Sequence, residues 1–95
     1  MKRDALVIKD RDNIATAITD IQAGADAVVG IGEDAVTVRV SENIALGHKF
    51  AVTDIEVGAD VFKYNCVIGR ATRDIKKGEH AHVHNMESLR GRGDL

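Results

Sequence analysis

The sequence predicts a mostly β domain that carries one short α-helix. Three observations lead there. Val and Ile number eleven and nine against four Leu, and β-branched side chains favour strands. Apolar and polar residues alternate over several short stretches, the period of a half-buried strand. Proline is absent and glycine occurs nine times, so the turns must rest on Gly, Asp and Asn.

The elements follow in chain order. Residues 5–8 read as a short strand. Asp12 and Asn13 are helix-capping types, and Ile14, Ala17, Ile18 and Ile21 recur at helical spacing. Residues 13–22 are therefore predicted as an amphipathic helix that Gly24 ends. After a turn at Gly32-Glu33-Asp34, Val36, Val38 and Val40 alternate with Thr37 and Arg39 as a half-buried strand. Residues 50–52, 61–64, 67–68 and 81–84 complete the strands.

One unit recurs. Ile-x-x-Gly occurs at Ile21 to Gly24, Ile44 to Gly47, Ile55 to Gly58 and Ile75 to Gly78. The spacing is irregular, so this is no solenoid. The physical reading is a shared corner, in which Ile plugs the core and Gly supplies a positive φ. Asp54, Asp60 and Asp74 lie near these corners and read as turn-makers.

Ninety-five residues with 44% hydrophobic content make one small globular domain. Its expected extent is residues 1–88, with 89–95 as a flexible tail. Thirteen basic against fifteen acidic residues leave no basic stripe for nucleic acid and no polybasic membrane anchor. No apolar stretch approaches the roughly 20 residues of a membrane span. Cys66 is the only cysteine, so no internal disulfide forms, and it reads as a small apolar filler. A reduced, cytoplasmic protein is expected. Short exposed strand edges leave self-association as a homo-oligomer open.

Chemistry concentrates in the histidines. His80, His82 and His84 lie within five residues. On a strand, alternate side chains share a face, so two such imidazoles can reach one metal ion. Glu79, Asn85 and Glu87 could complete the shell or orient it. The plainer reading is a solvated edge strand with histidines, or a tag-like accident; Ala81, Val83 and Asn85 interrupt the run, and Val83 reads as a core residue, which argues against a tag. The fourth histidine, His48, follows Gly47 and precedes Lys49, joining an acid/base group to a cation. Its plainer reading is a strand start with two solvated side chains. Lys63 and Tyr64 flank a turn at Asn65. Gly30 and Gly32 lack the third glycine of a dinucleotide fingerprint. Residue chemistry alone stops at a small β-rich domain with a histidine cluster that could bind a metal or an anion.

Three stretches occur in order: Gly47-His48-Lys49-Phe50-Ala51, residues 63–71 (Lys-Tyr-Asn-Cys-Val-Ile-Gly-Arg-Ala), and residues 80–87 (His-Ala-His-Val-His-Asn-Met-Glu). Together they resemble the N-terminal or small-subunit module of the altronate/galactarate dehydratase family. The small subunit of sulfolactate sulfo-lyase is similar. The resemblance implies a SAF-type β-clip domain over roughly residues 5–92. Asn65 stands where the family usually has glycine, a position at which Asn can hold the same turn.

The resemblance also implies a function. Family members remove water from sugar acids and depend on a divalent metal, often iron(II) or manganese. His48 and Lys49 map to the Gly-His-Lys motif as catalytic candidates. His82 and His84 map to the His-x-His-Asn motif as metal ligands, and Lys63, Tyr64 and Asn85 fall to substrate binding. Complete dehydratases carry a much larger second region. This chain is therefore expected to act as a small subunit or N-terminal module, inactive alone, that completes a site with a large dehydratase subunit and a sugar-acid substrate. The alternatives are a sulfolactate sulfo-lyase small subunit and a non-catalytic carbohydrate-binding SAF module.

Overall fold

The computed structural model describes residues 2–7, 12–63 and 66–88. Among the described residues the chain forms nine strands and no helix. They are β1 (Ala5–Val7), β2 (Ile14–Ala17), β3 (Asp26–Ile31), β4 (Asp34–Arg39), β5 (Lys49–Ala51), β6 (Asp60–Lys63), β7 (Cys66–Ala71), β8 (His80–Ala81) and β9 (Met86–Ser88). Six strands form one sheet in the order β4-β3-β1-β2-β5-β8, and three form another in the order β6-β7-β9. The neighbours β1 and β3 are parallel; the other pairs are antiparallel.

The helix predicted over 13–22 is absent. Its first part is β2, in register with β5 through Ile14 opposite Ala51 and Ala15 opposite Phe50. The reason is the presence of two cores. Ala15, Ala17 and Phe50 pack with Ala5, Val29, Val38 and Ile44 in one. Ile14 and Ala51 pack with Ile55, Val61, Ala71 and Ile75 in the other. A strand buried on both faces loses its polar alternation, and a short apolar run then mimics a helix segment. Asn13 caps nothing. Its side chain donates to the Asp60 carbonyl (3.0 Å) and accepts from the Phe62 N–H (2.8 Å), tying β2 to β6.

The four Ile-x-x-Gly units are one structure used four times. Gly24, Gly47, Gly58 and Gly78 have φ of 85 to 92°, the value of the third residue in a type II turn. Each turn closes with a backbone bond, for example His48 N–H to the Ala45 carbonyl at 2.9 Å. The corners pair off. Ile21 and Ile44 exchange both backbone hydrogen bonds at 2.8 Å, and Ile55 and Ile75 do so at 2.7 Å. All four isoleucines are buried.

The residue before each isoleucine locks the opposite corner. Asp20 accepts from Leu46 N–H and Asn43 from Ala23 N–H, both at 2.8 Å. Asp54 accepts from Lys77 N–H and Asp74 from Val57 N–H, both at 2.9 Å. The repeating unit is therefore Asp/Asn-Ile-x-x-Gly, and Asp54 and Asp74 are turn-makers as read from the sequence. Asp60 instead opens β6.

Three side chains and one segment depart from their predicted places; Val36, expected on the half-buried face of β4, is 45% exposed. Val83 is 79% exposed and belongs to no core. Cys66 is exposed at the start of β7, so it fills nothing. Only His80 and Ala81 of the predicted histidine strand are extended; residues 82–85 turn, with Asn85 and Met86 N–H both donating to the His82 carbonyl at 3.0 and 2.9 Å. Ile8, Tyr64, Asn65 and the predicted tail at 89–95 lie outside the described residues.

Candidate functional site

Two corners and one strand pair bring the predicted residues together. The Gly47 corner delivers His48 to the start of β5. The Gly78 corner delivers His80 to β8. β5 and β8 pair antiparallel, Lys49 opposite Ala81 and Phe50 opposite His80. Continuing that ladder by one step sets His48 against His82.

The result is a cluster of four imidazoles. His48 Nδ1 and His80 Nε2 lie 3.0 Å apart. The ring centroids of His48 and His80 are 5.1 Å apart, those of His48 and His82 5.7 Å, and those of His80 and His82 5.4 Å. His84 comes within 5.7 Å of His80. His82 and His84, the predicted metal pair, make no ring contact with each other among the described residues. His80, left without a role by the resemblance, is the ring that touches all the others.

Buried polar groups hold this arrangement. Asn85 is only 4% exposed. Its Oδ1 accepts from the His82 N–H at 2.9 Å, and its Nδ2 donates to the His80 carbonyl at 2.7 Å. Its side chain, assigned to substrate by resemblance, is thus engaged in shaping the turn. The Glu42 carboxylate accepts from the His80 N–H at 3.0 Å. Nothing in the sequence pointed to Glu42, which lies 38 residues from its partner. Asp20 and Asn43 did carry a signal, since an Asp or Asn precedes every corner isoleucine.

Partial burial, and then the neighbouring His48 and His82, hold His80 below the usual imidazole pKa, while Glu42 pulls the other way. His80 is therefore biased toward its neutral form, in which one ring nitrogen keeps a lone pair.

A groove of about 530 Å³ adjoins the cluster. Lys49, Lys63 and His82, one from each of the three sequence stretches, line it together with Cys66, Ile68 and Met86. Its lining thus combines positive charge from two lysines with apolar side chains. Gly69 lets β9 close over β7 here, because a Cβ at that position would stand 2.4 Å from the Glu87 carbonyl oxygen. Among the described residues no group of three His, Cys, Asp or Glu side chains is disposed to hold a metal ion as arranged. Imidazoles are ligand types for iron and zinc, but the two closest ring nitrogens, His48 Nδ1 and His80 Nε2, are hydrogen-bonded to each other.

Paired glycine corners joining two sheets, with no helix among the described residues, are the features of a β-clip type of domain. The chain belongs to the altronate/galactarate dehydratase SAF domain family, whose profile matches residues 3–89. It is 46% identical over 77 residues to altronate dehydratase of Escherichia coli (strain K12), covering 81% of this chain and 15% of that protein. It is 38% identical over 81 residues to altronate dehydratase of Bacillus subtilis (strain 168), covering 85% of this chain and 16% of that protein. It is also 42% identical over 52 residues to (2R)-sulfolactate sulfo-lyase subunit alpha of Chromohalobacter salexigens, covering 55% of each. The chain thus spans about one sixth of the altronate dehydratases it matches. Among the described residues no helix is long and apolar enough to cross a membrane.

Proposed function

We propose that this chain is the SAF module of a metal-dependent sugar-acid dehydratase of the altronate/galactarate type, and that a larger catalytic region or subunit completes its site. The observation that carries this reading is the groove in which Lys49, Lys63 and His82 meet. The two lysines would neutralise a substrate carboxylate, and the imidazoles beside them suit proton transfer near neutral pH. Elimination of water needs a base for the proton next to the carboxylate and an acid for the departing hydroxyl. His48 and His82 stand 5.7 Å apart by ring centroid, which lets them serve two neighbouring carbons of one substrate. A divalent ion, when bound, would draw charge from the carboxylate and its adjacent hydroxyl. The imidazole donor set favours iron(II) over manganese, which prefers oxygen ligands. Asn85 and Glu42 would act by fixing the backbone that carries His80 and His82. A cytoplasmic location goes with this reading.

The test is reconstitution. The chain alone should dehydrate nothing. Mixed with the large region of an altronate dehydratase and iron(II), it should convert altronate or galactarate to a 2-keto-3-deoxy acid. Turnover by the isolated chain would refute the split-site reading. The match to sulfo-lyase subunit alpha supports a second reading, elimination from a sulfonated hydroxy acid; sulfite release from sulfolactate in the same assay would select it. Inertness toward all three acids would leave a binding module.

A further inference from the structure

We propose that Asn13 is a positioning residue for the groove: it sets the distance between Lys49 and Lys63, and with it how the groove holds an anionic acid. The use of the groove rests on the dehydratase reading; the placement of the two lysines does not.

The groove lies on the seam between the two sheets. Lys49 and Ala81 reach it from β5 and β8 of the larger sheet, and Lys63, Ile68 and Met86 from β6, β7 and β9 of the smaller one. Among the described residues no ladder joins β5 to β6. The spacing of the two lysines therefore depends on what fixes one strand against the other across the seam.

Asn13 bridges that seam with three hydrogen bonds. Its backbone carbonyl accepts from the Val52 N–H at 3.0 Å, directly after β5. Its Nδ2 donates to the Asp60 carbonyl at 3.0 Å, and its Oδ1 accepts from the Phe62 N–H at 2.8 Å. The Asp60 carbonyl and the Phe62 N–H are the pair that one residue of a neighbouring strand would otherwise bond. The carboxamide carries a donor and an acceptor side by side and stands in for that strand.

The grip falls where β6 needs it. The β6–β7 ladder shifts register between Val61 and Phe62, and such an irregularity weakens the pairing locally. β6 is thus least held by its own sheet at the residue that Asn13 bonds, and Lys63 is the next residue in the chain. On the other side of the joint, Ile14 pairs with Ala51 and Thr16 with Lys49. Asn13 therefore ties together the two strands that carry the lysines. A small displacement of groups that hold a substrate is costly even when its source lies outside the site.

The experiment uses the full chain, alone and with the large region of an altronate dehydratase. In the chain alone, Asn13→Ala should speed amide exchange at Phe62 by about tenfold. A short bis-succinimidyl reagent should link Lys49 to Lys63 in the wild type, and the yield of that link should fall several-fold in Asn13→Ala. In the reconstituted enzyme the KM for altronate should rise about tenfold with kcat held within about twofold, because displaced lysines weaken ground-state and transition-state binding alike. A residue that only stabilises the fold would leave KM and the link unchanged below the unfolding transition. Asn13→Asp keeps the acceptor but turns a carboxylate on the Asp60 carbonyl. It should protect the Phe62 amide and recover part of the link, and it carries the test where the alanine variant does not fold. No Lys49–Lys63 link in the wild type, equal yields in the wild type and both variants, or a fall in kcat with KM unchanged would overturn the positioning role. No turnover of altronate, galactarate or sulfolactate by the wild-type pair would break the dehydratase reading, and the link would then decide the role of Asn13 alone.

Discussion

The two corner pairs share one backbone design but not one environment. The Ile21/Ile44 pair seals the first core, and its turn glycines, Gly24 and Gly47, open into space. The Ile55/Ile75 pair seals the second core. Gly58 there is equally open, but a Cβ on Gly78 would stand 2.1 Å from the Arg39 carbonyl oxygen. The same carbonyl-rich region accommodates the Gly78 turn through Ser41, whose N–H donates to the Gly78 carbonyl at 3.0 Å. A five-residue unit therefore sets the shape of a corner, while its neighbours set its tolerance. Chemistry also enters through the neighbours. Ala25 and Ala59 follow two of the corner glycines; His48 and Glu79-His80 follow the other two.

Substitutions can break this comparison. The largest effect should come from Gly78→Ala, where positive-φ strain and a backbone clash add to a loss of about 2–6 kcal/mol. Gly58→Ala, with the strain alone, should lose about 1–3 kcal/mol. Urea midpoints measure both, and equal losses would mean that the Arg39 contact is immaterial. Ile44→Ala and Ile75→Ala should each cost about 2–5 kcal/mol in the same assay. A clear gap between them would show that the pairs are not equivalent.

Asn85→Ala removes two side-chain bonds of a buried group and should cost about 1–3 kcal/mol. It should also raise amide exchange at His80 and His82, which a remote substitution would not do. Asp74→Ala and Asp20→Ala each remove one exposed cross-corner bond and should cost about 0.5–1.5 kcal/mol apiece. Smallest of all is Asp26→Asn. Its 2.9 Å pair with Arg39 is open to water on both sides, and surface pairs of this kind contribute little. Thermal midpoints should not move, and a measurable drop would give the β3–β4 edge a weight the geometry denies it.

The corners were legible in the sequence because each depends on residues close together in the chain. β4 and its turn were legible in part for the same reason: Gly32 turns with φ 60° and Val38 and Val40 are buried, although Val36 is exposed. β2 was not, because Ile14 and Ala15 serve different cores and the polar half of the alternation is missing. Val83 misled through its type alone; an apolar residue in a turn is exposed when nothing packs over it. The site was legible as residue types, since three stretches named the lysines and histidines. Its geometry was not. Which two imidazoles touch depends on the β5–β8 pairing, and no local pattern encodes a partner 32 residues away.

That separation has a kinetic meaning. The His48–His80 contact bridges 32 residues, and it exists only when β8 has settled on β5, a strand whose two faces belong to different cores. Contacts of such span form late, after loop-closure entropy has been overcome. During refolding the paired imidazoles should therefore come together well after the local glycine turns have formed.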